Sequence, residues 1–129
     1  MAVLGLEIRR RTPYADGAAF GDAGAYERID GLVTYGVSPE NAANAGIVDL
    51  ELAPRDADGL VRFRGDFCLL RPTDPTKGSR RLIVELPNRG RKLLPRYVNR
   101  AAPEPPSAEI PVGDGWLMRH GVAVAWIGW

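Results

Sequence analysis

The sequence predicts an α/β protein that is rich in strand and poor in helix, and three observations predict it. Alternating apolar residues dominate residues 26–71, and two continuous apolar runs follow at residues 82–86 and 122–127. Fifteen glycines and 11 prolines in 129 residues leave little room for uninterrupted helix.

Each element follows from its own pattern. Val33, Tyr35 and Val37 alternate with Thr34 and Gly36, a strand opened by Gly31. Val48, Leu50 and Leu52 alternate with Asp49 and Glu51 and predict a second strand. Pro54-Arg55-Asp56-Ala57-Asp58-Gly59 then gives a turn, with Asp58-Gly59 as its signature and Asp56 and Asp58 as local backbone acceptors. Val61, Phe63, Gly65, Phe67 and Leu69 line one face of a third strand, while Arg62, Arg64 and Asp66 point the other way. Residues 26–71 therefore read as an antiparallel sheet with one wet face.

Leu82-Ile83-Val84-Glu85-Leu86 and Val122-Ala123-Val124-Ala125-Trp126-Ile127 do not alternate. Such runs belong to strands covered on both faces, usually parallel ones joined by crossover helices. Few helices are on offer. Residues 16–20 and 114–120 each supply a turn or two, the latter with Asp114 as N-cap, Gly121 as C-cap and His120 over the last carbonyls. The proline-rich stretch 103–111 predicts an extended connector. Strands written for a two-sided interior, with Trp126 and Trp129 at the end of the chain, predict the front portion of a longer protein.

Composition excludes several functions. The formal net charge is +1, too small to draw in nucleic acid or membrane by a global field. Its distribution is uneven: residues 1–70 hold 7 Lys/Arg against 11 Asp/Glu, and residues 71–129 hold 10 against 5. No apolar stretch is long enough to span a bilayer, and Met1-Ala2-Val3-Leu4-Gly5-Leu6 is too short for a signal sequence, so a cytoplasmic location is expected. A single cysteine, Cys68, and a single histidine, His120, cannot build a zinc site of the usual kind, and neither metal nor cofactor is expected.

Catalytic groups are scarce. Ser38, Ser79 and Ser107 all lie outside a Gly-x-Ser-x-Gly elbow and read as turn or connector residues. Cys68 is expected to be a packed strand cysteine. Neither Gly-x-Gly-x-x-Gly nor a phosphate-binding Gly-x-x-x-x-Gly-Lys-Ser/Thr loop is present. One segment carries chemistry. The strand at 82–86 runs directly into Pro87-Asn88-Arg89-Gly90-Arg91-Lys92, and ligands of open α/β sheets bind beyond the carboxyl ends of strands. Gly90 lets backbone N–H groups approach a substrate oxygen as an oxyanion hole requires; Asn88 can orient the loop, and Arg89, Arg91 and Lys92 add positive charge.

Over most of its length the chain resembles a known family. The stretches that carry the resemblance are Phe20-Gly21-Asp22-Ala23-Gly24-Ala25-Tyr26-Glu27-Arg28-Ile29-Asp30-Gly31, Ile47-Val48-Asp49-Leu50-Glu51-Leu52-Ala53-Pro54-Arg55, Asp66-Phe67, Arg71-Pro72, Asn88-Arg89-Gly90, Asp114-Gly115-Trp116-Leu117-Met118-Arg119-His120-Gly121 and Trp126-Ile127-Gly128-Trp129. In order and spacing they resemble the large, mostly uncharacterised α/β-hydrolase domain-containing proteins. The resemblance implies one incomplete domain, with an amino-terminal β region over residues 1–80 and the start of the hydrolase sheet over 81–129. It also implies that Asn88, Arg89 and Gly90 lie in the oxyanion loop, with the serine nucleophile, acid and histidine beyond Trp129. The complete protein would then act on a small ester- or amide-like substrate, and this chain alone would be inactive. Two other readings remain. Arg89, Arg91, Lys92, Arg96 and Arg100 with Tyr97 interleaved suit an anion- or nucleic-acid-binding module. Alternatively, a structural β subunit would bury Trp116, Trp126 and Trp129 against a partner.

Overall fold

The computed structural model describes residues 1–103 and 109–128; Ser107, the middle of the proline-rich connector and Trp129 lie outside them. The described residues form one mixed sheet of five strands, β1 (Ala2–Pro13), β2 (Tyr26–Val37), β3 (Val61–Pro72), β4 (Leu82–Glu85) and β5 (Ala123–Ile127), with two short helices, α1 (Leu94–Val98) and α2 (Trp116–Arg119). The strand order is β1-β2-β3-β5-β4. The β-rich reading holds, and residues from both predicted segments share this one sheet.

Strands β2 and β3 pair antiparallel from Tyr26↔Pro72 to Val37↔Val61. Ile29, Val33, Tyr35 and Val37 are buried at alternate positions, as the sequence predicts. The strand begins at Tyr26, however, so Gly31 lies within it and does not open it. A Cβ at Gly31 would stand 2.0 Å from the Glu7 carbonyl oxygen and 2.5 Å from the Phe67 ring, so glycine is needed there for close approach. In β3, Arg62, Arg64 and Asp66 are exposed as expected, but farther along the same face buries Cys68, Leu70 and Pro72. That correction has a simple cause: the strand leaves solvent and passes beneath α2 and the aromatic cluster of Tyr14, Phe20 and Tyr26.

No strand forms at residues 48–52. Because β2 and β3 pair to their ends, residues 38–60 are left as the loop between them, with no neighbour to supply a ladder. Asp49 takes a left-handed φ of 59°, and Leu50–Leu52 close a 3-10 turn. Val48 is 84% exposed. The predicted Asp-Gly turn does form: Asp56 N–H donates to the Leu60 carbonyl at 2.9 Å, and Asp56 Oδ1 accepts from Asp58 and Leu60 N–H.

Strands β4 and β5 are parallel, and β5 also pairs antiparallel with β3. Parallel neighbours require a long crossover, which here carries α1 and α2. Strand β5 is buried from Val124 to Trp126. The expectation that residues 82–86 are covered on both faces fails, because β4 is the edge strand: Leu82 is 56% and Val84 50% exposed. Register places Val3, Leu6 and Ile8 of β1, Phe63 of β3, and Leu82 and Val84 on one sheet face, and all six are exposed.

The core lies on the other face, where Tyr26, Cys68, Leu70, Val124 and Trp126 meet Leu117 and Met118 of α2. Asn99, 1% exposed, closes this cluster by accepting from Leu117 N–H at 2.9 Å and donating to the Val112 carbonyl. Helix α2 is shorter than residues 114–120, and its caps differ from those predicted. Gly115 is the N-cap, with no side-chain cap bond, and His120 the C-cap, with Asp114 and Gly121 each one residue farther out. Asp114 Oδ1 accepts from Trp116 N–H at 3.0 Å, Gly121 follows at φ 65°, and His120 Nδ1 lies 2.8 Å from the Trp116 carbonyl oxygen. Around residues 16–20 the chain makes two 3-10 turns, Ala15–Gly17 and Gly21–Ala23.

Candidate functional site

A cleft of about 760 Å³ opens where the middles of β2 and β3 meet the chain leaving the carboxyl ends of β4 and β5. Its β2 and β3 wall holds Asp30, Gly31, Arg64, Gly65, Asp66, Phe67 and Cys68; its other wall holds Pro87, Asn88, Arg89, Gly90, Lys92, Trp126 and Gly128. Close packing shapes it. Gly128 N–H donates to the Asp66 carbonyl at 2.6 Å, and a Cβ on Gly65 would stand 2.2 Å from the Gly128 oxygen. A side chain at Gly65 would therefore wedge β3 from the end of β5.

The segment singled out by sequence lines this cleft. Asn88–Gly90 forms a 3-10 turn in which Arg89 sits in the left-handed region (φ 54°, ψ 38°) and Gly90 has a φ of 74°. A non-glycine residue held there costs about 1–2 kcal/mol, so the surrounding structure must impose it. The backbone N–H groups of Asn88 and Arg89 have no acceptor among the described residues, while the 3-10 turn directs Gly90 N–H back toward the Pro87 carbonyl.

Glu85 supplies the imposition. As the last residue of β4, its Oε1 accepts from Leu93 N–H at 2.9 Å, while its Oε2 accepts from Leu94 N–H at 3.0 Å and from the Trp126 indole at 2.5 Å. One carboxylate thereby fixes both ends of the loop that holds Asn88–Gly90 and ties it to β5. A lone acid inside the apolar run at residues 82–86 must be paired to be tolerated, and that was the sequence signal for Glu85.

Charge in the cleft is unevenly neutralised. Burial raises the Asp30 carboxyl, but hydrogen bonds from Arg28 and Arg10 outweigh it and hold the group below its ordinary range. Arg28 approaches Asp30 to 2.9 Å and Arg10 to 2.9 Å. Arg9 bonds Glu7 at 3.1 Å. Among the described residues, Arg64, Arg89 and Lys92 have no ion-pair partner, and Asp66 is the lining carboxylate without one. Burial pushes the Cys68 thiol up to about 11, which leaves it protonated and weakly nucleophilic.

Other candidates lie elsewhere. Ser79 Oγ donates to the Gly121 carbonyl at 3.0 Å, and the Ser38 carbonyl accepts from Asn41 and Asn44 in a turn. His120 stacks on Trp116 with ring centroids 4.2 Å apart. Of the basic stretch, Arg89 and Lys92 line the cleft, whereas Arg91, Arg96, Tyr97 and Arg100 do not. Trp126 is 2% exposed within this chain, which removes it from any docking surface; Trp116 is 43% exposed. The contributions of Arg9, Asp30, Gly31, Arg64 and Gly65 left no sequence signal, since only strand pairing brings them to the loop after β4.

Among the described residues, no helix is long and apolar enough to cross a membrane. Comparison with family models, with curated proteins and with solved structures finds no match to this chain.

Proposed function

We propose that this chain is the amino-terminal part of a serine hydrolase of the α/β-hydrolase type, contributing the loop that binds the oxyanion of an acyl-transfer intermediate. The observation that carries the reading is the Asn88–Gly90 turn. The turn lines a cleft just beyond a parallel strand, and the N–H groups of Asn88 and Arg89 lack protein acceptors, as donors to a carbonyl oxygen gaining charge must. In α/β-hydrolases one such donor comes from a loop joining a sheet strand to the first helix, the position of residues 86–93 between β4 and α1. Exposed Leu82 and Val84 on edge strand β4 fit the same reading, because sheets of this class are covered by helices on both faces. The nucleophile, acid and histidine would come from residues beyond this sequence.

An amide-resolved NMR titration with diethyl succinate, a neutral ester, tests it. Saturable shifts at Asn88, Arg89 and Gly90 are expected, with no turnover of p-nitrophenyl esters by the 129-residue chain. Unmoved amides, or turnover that survives alanine at Ser38, Ser79 and Ser107 together, would overturn the reading.

A further inference from the structure

We infer that the cleft selects acyl compounds bearing a negative charge of their own, a carboxylate separated from the ester or amide carbonyl by a short apolar spacer. The inference deepens the oxyanion reading by naming its substrate class, and the charge selection stands on a separate observation. Arg64 on β3 faces the cleft from one wall, and Arg89 and Lys92 face it from the other. These three cations have no carboxylate partner among the described residues. Asp30 does not offset them, because Arg10 and Arg28 already hold it. Asp66 offsets one, so the lining retains an excess of positive charge.

That excess attracts an anion carried by the ligand, and a carboxylate on the substrate supplies one. Between the charged groups, Phe67, Pro87 and Trp126 supply apolar wall for the spacer. The cavity volume falls within the ~300–1,000 Å³ usual for small-molecule sites. Arg89 is the residue on which both roles converge: its N–H belongs to the proposed oxyanion turn, and its guanidinium contributes to the charge excess.

The test compares monoethyl succinate with diethyl succinate on the full 129-residue chain, following the amides of Gly65 and Asn88–Gly90 and the Trp126 indole N–H. The monoester is expected to bind roughly tenfold more tightly, since hydrogen bonds between charged groups are the stronger class. Raising the salt concentration should narrow that difference. The double variant Arg64→Gln, Lys92→Gln should abolish it by weakening the monoester, with an unchanged urea midpoint reporting that the fold is intact. Equal binding of the two esters, or a preference untouched in the double variant, would overturn the inference. The two readings fail differently. Equal shifts at Asn88–Gly90 with both esters refute charge selection and keep the oxyanion turn. Charge-dependent binding that moves Gly65 but not Asn88–Gly90 refutes the oxyanion turn and keeps charge selection.

Discussion

The indole of Trp126 and the carboxylate of Glu85 are joined across the two parallel strands by a hydrogen bond of 2.5 Å. The two residues are directly paired in the β4–β5 register, so the bond links neighbouring strands on the core side of the sheet. The same carboxylate holds the N–H groups of Leu93 and Leu94 at the start of α1. A single side chain thus couples the edge strand, its partner and the loop that lines the cleft.

Replacing Glu85 with alanine leaves three donors without their acceptor. The loss is expected to be about 2–4 kcal/mol, given ~1.5–3 kcal/mol for a hydrogen bond to a charged group and partial rescue by water. Glu85→Gln retains one carbonyl oxygen and should lose less. Urea unfolding followed by tryptophan fluorescence measures both. A Glu85→Ala protein as stable as the parent would show that the loop is held by something else.

Asp30 links stability to pH. Its carboxyl is held below its ordinary value in the fold, so its contribution is present above the unfolded value of about 3.9 and is lost as pH falls through the folded value. Denaturant midpoints should therefore decline steeply below about pH 4. Asp30→Asn should flatten that acid limb and, at neutral pH, destabilise the protein by roughly 1–2 kcal/mol, because Arg28 loses its partner in a half-buried position. Half-buried Asp56 and exposed Asp74, also lowered, leave a residual slope of the same sign. An unchanged acid limb in Asp30→Asn would refute the linkage.

Cys68 should resist thiol reagents in the native protein. With its thiol pushed up to about 11, only on the order of one molecule in a thousand carries a thiolate at pH 8, and the side chain is 5% exposed. Labelling by a disulfide reagent should be at least about a hundredfold slower than in denaturant. Equal rates in the two conditions would mean that the cleft exposes the sulfur.

How much of this was legible depends on where each signal resides. Strand β3 was readable because apolar residues from Val61 to Leu69 alternate with Arg62, Arg64 and Asp66. Strands β4 and β5 were readable as strands from short apolar, β-branched runs, although the two-sided cover predicted for residues 82–86 fails at the sheet edge. Strand β1 was not. Its ladder slips between Val3 and Gly5 and again between Ile8 and Arg10, so no fixed period survives in its sequence. Residues 48–52 misled for the opposite reason: they alternate, but nothing pairs with them. The loop at Asn88–Gly90 was found locally, from a strand running into glycine and basic residues. Its counterparts Asp30, Arg64 and Gly65 were invisible, because they belong to strands whose register no local pattern announces.

Strand β5 meets β3 through Phe67↔Ile127 and Leu70↔Val124, far along the chain, whereas β1, β2 and β3 join as successive neighbours. The meander can assemble from nearby pieces, but the cleft has no second wall until this distant closure is complete. Whatever loosens β5 will accordingly open the cleft well before it erases the bulk of the β signature in a spectrum.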